Sequence, residues 1–153
     1  MIFKNTKVQT IVLFKNKKFR SCAVGGIQLD SLACQNPENR GRLILHETGH
    51  AFGLADEYAE PSLGNHAREP NCARNIQKAR ELWGDLVGIR GVGYYSSIQH
   101  PDITYMSDGG CSYVTTNIRP TINSIMRAHW WNLSADYGPV NERQLLRQLS
   151  GYR

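Results

Sequence analysis

The sequence predicts an α+β domain, and three observations carry that expectation. Two runs rich in β-branched and aromatic residues fall before residue 30, a capped helical segment follows them, and two further segments of helical spacing lie later, separated by irregular Gly- and Ser-rich chain. With 153 residues, 41% of them hydrophobic, there is material for one core. No shift in composition divides the chain, so residues 1–153 are read as a single domain.

The first element is VQTIVLF at residues 8–14, whose unbroken apolar character suits a strand covered on both faces. Lys15, Asn16, Lys17 and Lys18 then read as a charged hairpin loop. Residues 19–29 form the second expected strand, with Gly25 and Gly26 inside it, where missing side chains weaken the strand but let another backbone approach. Asn36, Pro37 and Glu38 make a helix start: Asn caps, Pro tolerates the first helical position and Glu favours the positive end of the dipole. That helix is expected over residues 37–52, anchored by Leu43 and Leu45. Gly49 inside it costs about 1 kcal/mol relative to Ala, which argues for a close contact that only a small residue permits.

Beyond Tyr58 the chain to Asn71 is polar and broken by Pro61, Gly64 and Pro70, so it reads as a surface loop with His66 solvated in it. Ile76, Ala79, Trp83, Leu86 and Val87 recur at helical spacing, with Gly88 as the stop. Residues 91–111 predict irregular loops with short strands. Pro139 opens a last helix whose apolar side is Leu145, Leu146 and Leu149.

The chemistry concentrates in HETGHAFGLADEY, residues 46–58. On a helix His46 and His50 leave the same face and can meet on one metal ion, for which zinc is the natural candidate. Glu47 points to a neighbouring part of that face, where a carboxylate can hold an activated water without ligating, as a general base must. Gly53 can end the helix with positive φ and return the chain toward the metal. Asp56 is the first strong ligand to arrive, with Glu57, Glu69 and Glu81 as rival carboxylates. An amphipathic helix with two hydrogen-bonded histidines is the plainer alternative; it leaves the added Gly and Asp unexplained.

HExxHxxGxx followed by a third ligand resembles the metzincin zinc peptidases, and the ending Ala55-Asp56-Glu57-Tyr58 resembles the bacterial immunoglobulin A peptidase family within them. Arg119-Pro120-Thr121 and Ser124-Ile125-Met126-Arg127, together with Glu69-Pro70-Asn71 and residues 138–142, extend the resemblance over most of the chain from about Leu43. The resemblance implies a zincin-type catalytic domain: a small mixed sheet and an active-site helix over a loop-rich lower subdomain closed by a C-terminal helix. It implies one catalytic zinc on His46, His50 and Asp56, and Met126 in a tight turn beneath the ligands. It further implies that Cys22, Ala23, Val24, Gly25 and Gly26 bind an extended substrate by strand addition. The expected activity is a zinc-dependent endopeptidase acting on protein or peptide substrates, secreted or held at the cell envelope. Two departures stand against the pattern: Ala128 where some metzincins have a tyrosine, and only about two strands' worth of chain before the helix, as an N-terminally truncated upper subdomain would have. They favour the rival expectation of a catalytically silent zinc-binding interaction module; hydrolysis of a small amide or acetyl group is a third.

The formal charge of +5 gathers largely in Lys4, Lys7, Lys15, Lys17, Lys18 and Arg20 without a known nucleic-acid-reading motif, which argues for a solvated loop over a nucleic-acid surface. No apolar run approaches a membrane span or a signal-peptide core. Cys22, Cys34, Cys72 and Cys111 form no CxxC pair, which excludes a second zinc cluster of that type and leaves both disulfides and buried thiols open.

Overall fold

The computed structural model describes residues 11–14, 27–30, 37–60, 70–127 and 136–151, with side chains from residue 41 onward. The elements in order are β1 (Ile11–Phe14), β2 (Ile27–Asp30), α1 (Pro37–Ala51), α2 (Ile76–Trp83), β3 (Tyr95–Ser96), β4 (Thr104–Tyr105) and α3 (Pro139–Ser150). This is an α+β arrangement with two small sheets, β1-β2 and β3-β4.

β1 and β2 pair in parallel, with Ile11 opposite Ile27 and Phe14 opposite Asp30. The hairpin expected around Lys15–Lys18 is therefore corrected: a tight loop joins antiparallel strands, whereas parallel neighbours need a crossover. The lysines and the rest of residues 15–26 lie outside the described residues. Among the described residues β1 has only β2 beside it.

α1 begins at Pro37 as expected and ends one residue short of the expected bound. Its end is a Schellman closure, in which Leu54 N–H reaches the Gly49 carbonyl at 3.0 Å and Gly53 N–H reaches that of His50 at 2.9 Å. Gly53 has φ of +86°, the conformation that closure requires.

α2 is capped by Asn75, whose side chain accepts from Lys78 N at 2.8 Å. It is shorter than the periodicity suggested: the α-helix stops at Trp83 and tightens into a 3-10 turn at Gly84–Leu86. Gly88, the expected stop, has φ of +89°. Trp83 anchors the main core with Ala73, Ala79, Val92, Ile118 and Val140, and its indole N–H is satisfied by the Gly93 carbonyl at 3.0 Å. The strand pair β3-β4 confirms short strands within residues 91–111.

α3 departs from expectation on its buried side. It buries Val140 and Asn141 in its first turn, while Leu146 and Leu149 are 67% and 52% exposed. Leu145 alone of the three leucines packs inward, on a second cluster of Leu54, Ile125, Met126 and Tyr137. That cluster lies directly under α1. No helix among the described residues is long and apolar enough to cross a membrane.

Candidate metal centre

His46 and His50 sit one turn apart on α1 and are each oriented by a backbone carbonyl, one distant in sequence and one local. His46 Nδ1 meets the Ile125 carbonyl at 2.9 Å, and His50 Nδ1 meets that of Leu54, also at 2.9 Å. A carbonyl oxygen can only accept, so each Nδ1 carries the proton and the neutral ring presents a lone pair at Nε2. The two Nε2 atoms face each other at 3.1 Å. Asp56 Oδ1 completes the triangle, 3.1 Å from His46 Nε2 and 3.3 Å from His50 Nε2.

Three acceptor atoms so placed repel one another unless a cation or protons lie among them. Asp56 Oδ1 is buried and receives no hydrogen bond of acceptable geometry among the described residues. Four-coordinate zinc bonds of about 2.0–2.1 Å space tetrahedral ligands about 3.3 Å apart, which the observed triangle matches closely. His46, His50 and Asp56 therefore form a group that could hold a divalent metal ion. Burial would raise the Asp56 pKa, but hydrogen bonding and positive charge from the two imidazoles, when protonated, outweigh it and hold the carboxyl well below its usual range; a cation among the three atoms would act in the same direction. Burial likewise lowers the His50 pKa, and Asp56 reverses that to a net rise.

Glu47 is buried, and its Oε2 has no hydrogen-bond partner among the described residues. Burial raises its pKa, the two histidines lower it, and burial prevails. An unpaired buried carboxylate is costly, so its retention beside the histidines calls for a role in the site.

Met126 lies in the turn just after Ile125, fully buried, and its carbonyl accepts from Glu57 N at 3.0 Å. It packs on α1 at Gly49. A Cβ at Gly49 would overlap Met126 Sδ and stand 3.1 Å from Met126 Cε and 3.2 Å from Tyr137 Cε1. The small-residue requirement inferred from the sequence is thus the approach of the Met126 turn to the histidine helix.

Glu57, a rival third ligand in the sequence, is corrected to an anchoring role. Its carboxylate is fully buried and accepts from Asn141 at 2.8 Å, Asn71 at 3.1 Å, Ser124 at 2.7 Å and Thr121 at 3.2 Å. Burial pushes its pKa up and these donors, with Arg119, only partly offset the rise. Glu81 is half-exposed on α2 and pairs with Lys78, away from the histidines. Glu69, His66, Ala128 and the strand residues Cys22 to Gly26 lie outside the described residues.

Several supports were not foreseen from the sequence. The Asn71 amide pairs with both backbone groups of Ala55, accepting at 2.8 Å and donating at 2.9 Å, and so stands in for a neighbouring strand just before Asp56. A disulfide joins Cys72 to Cys111. The next two residues, Ser112 and Tyr113, have φ of +53° and +67°. They form the two-residue link between Cys111 and Val114, whose backbone groups exchange hydrogen bonds at 3.1 Å in each direction. Such turns prefer Asn-Gly, and a left-handed non-glycine residue costs roughly 1–2 kcal/mol. Tyr113 OH donates to Asp56 Oδ2. Tyr58, in edge contact with Tyr113, has its phenol pKa raised by burial and by the Asp56 charge.

No protein-family model matches the chain, and no curated protein matches it either.

Proposed function

We propose that the protein is a zinc-dependent endopeptidase with a metzincin-like catalytic domain, in which His46, His50 and Asp56 hold the metal and Glu47 is the general base. Imidazole and carboxylate donors accept zinc, iron and nickel alike; the preference for zinc comes from the spacing of His46, Glu47 and His50. The observation that carries the reading is the triangle of three facing acceptor atoms with a buried, unpartnered Glu47 oxygen on the same helix. A purely structural site has no use for that carboxylate.

Zinc held there would supply Lewis-acid chemistry, polarising a peptide carbonyl and making hydroxide available near neutral pH. Glu47 takes the proton from the attacking water and later delivers it to the leaving amine, the role its place beside His46 on the same helix suits. His46 and His50 hold their tautomers through the Ile125 and Leu54 carbonyls, so their Nε2 atoms remain ligands throughout. The Met126 turn fixes the height of His46 by way of Ile125. The buried position of Met126 beneath α1 supports the metzincin resemblance, as does the glycine-mediated turn to Asp56.

The test is peptide-library cleavage by zinc-loaded protein, with metal content measured alongside. Glu47→Gln should retain zinc and lose roughly 100- to 10,000-fold in turnover. Unchanged hydrolysis in that variant would sink the mechanism, and stoichiometric zinc without any cleavage by the parent protein would leave a metal-binding module instead.

A further inference from the structure

We propose that Tyr113 is a positioning residue for the metal centre, holding Asp56 by Oδ2 so that Oδ1 alone is offered beside the two imidazoles. This rests on reading His46, His50 and Asp56 as metal ligands. The two oxygens of Asp56 are in different circumstances: Oδ2 accepts from the Tyr113 hydroxyl, while Oδ1 lies 3.1 Å and 3.3 Å from the histidine Nε2 atoms without a hydrogen bond. A hydrogen bond on one oxygen biases a carboxylate toward binding a metal through the other.

The backbone argues that this placement is specific. Ser112 and Tyr113 both adopt positive φ although neither is a glycine, and the strained pair is tied to the ligand loop at every level. Ser112 N–H reaches the Asp56 carbonyl at 2.7 Å and Tyr113 N–H that of Tyr58 at 3.1 Å. Cys111, the residue before them, is bonded to Cys72. Gly110 fits only because it lacks a side chain: a Cβ there would stand 2.8 Å from Ala59 Cβ. The turn is thus clamped along residues 56–59, and it reaches the Asp56 side chain through the Tyr113 phenol. Tyr58 also bonds Asp56 through its phenol; losing the Tyr113 hydroxyl weakens the hold on Oδ2 and lets it compete with Oδ1 for the cation, using the coordination that water and substrate require.

Tyr113→Phe keeps the ring and the turn and removes only the hydroxyl. The experiment titrates metal-free parent and variant with cobalt(II) and with zinc against a competing chelator, and records the visible spectrum at saturating cobalt. The variant should bind roughly 10- to 100-fold more weakly. Its cobalt bands should lose intensity as the coordination number rises. Because the saturated spectra compare bound states only, they stay decisive even where the variant is less stable. Equal affinity with an unchanged spectrum overturns the proposal, and so does a loss of turnover alone, which would put the hydroxyl on the substrate. A parent protein that binds neither metal overturns the metal reading itself, a result distinct from a parent that binds and a variant that matches it.

Discussion

The two halves of the candidate metal centre are built in opposite ways. His46 and His50 are brought together by the helix itself: four residues of separation and a glycine closure suffice to put both rings on one face. Asp56 stands on chain without regular secondary structure, so no repeating backbone geometry directs its carboxylate toward them. It is held instead by contacts from far along the sequence: Asn71 on Ala55, Ser112 and Tyr113 on Asp56 itself, and four donors on Glu57. Acting on the long-range supports should therefore loosen the Asp56 side of the centre while leaving the histidine pair on its helix.

The largest effect is expected from the disulfide. Cys72 and Cys111 are separated by 39 residues, and closing a loop of that length restricts the unfolded chain by about 4 kcal/mol at 25 °C. Replacing both with Ala should lower the unfolding free energy by an amount of that order in urea titration, and weaken the proposed metal binding, while far-UV circular dichroism retains the α1 signal. Metal affinity equal to the parent's after the replacement would break the comparison, since the loop would then need no covalent anchor.

Glu57→Ala comes next, at about 3 kcal/mol, because it strands the buried donors of Asn71, Ser124, Thr121 and Asn141. The measurement is again chemical denaturation. The accompanying expectation is a greater loss of metal affinity than of helix content, as the adjacent Asp56 loses its anchor. A loss of helix in equal proportion would mean that the two halves unfold as one unit.

Two substitutions on α1 sharpen the comparison within the helix arm. Gly41 meets nothing within 4 Å of its missing side chain, so Gly41→Ala should stabilise by about 1 kcal/mol through helix propensity alone. Gly49→Ala carries the same propensity gain, but its methyl enters the space of Met126, which is fully buried beside the Tyr137 ring and has little room to move. Overpacking outweighs propensity there, for a net loss of about 1 kcal/mol. Opposite signs in paired thermal melts confirm the Met126 contact; gains at both glycines would refute it.

This division also decides what the sequence could reveal. The histidine spacing, the helix start at Pro37 and the positive-φ Gly53 are local features and were legible residue by residue. The α+β class follows from the same kind of signal. The parallel pairing of β1 and β2 was not legible, because a charged stretch after a strand looks the same whether it turns a hairpin or opens a crossover. Ser112-Tyr113 carries none of the Asn-Gly signal of a tight two-residue turn, so its role stayed hidden. Glu57 is the instructive intermediate. Asn71, Thr121, Ser124 and Asn141 all fall in stretches noticed for their resemblance to one family, and their common destination on a single carboxylate supplies the physical reason those stretches go together.

The smallest effect belongs to the end of α3. Leu145, Leu146 and Leu149 suggested an apolar side, yet the helix is fastened at its other end, where Val140 enters the main core and Asn141 donates to Glu57. Its first turn is therefore the part coupled to the Asp56 loop, and its exposed last turns are not. Leu146→Ala and Leu149→Ala should each change the unfolding free energy by no more than about 0.5 kcal/mol. Val140→Ala, at a position with 3% exposure, should cost about 1–2 kcal/mol. Were Leu146→Ala or Leu149→Ala to cost as much as Val140→Ala in the same denaturation assay, the leucines would have to be covered in solution, and the contrast between the two ends of α3 would fail.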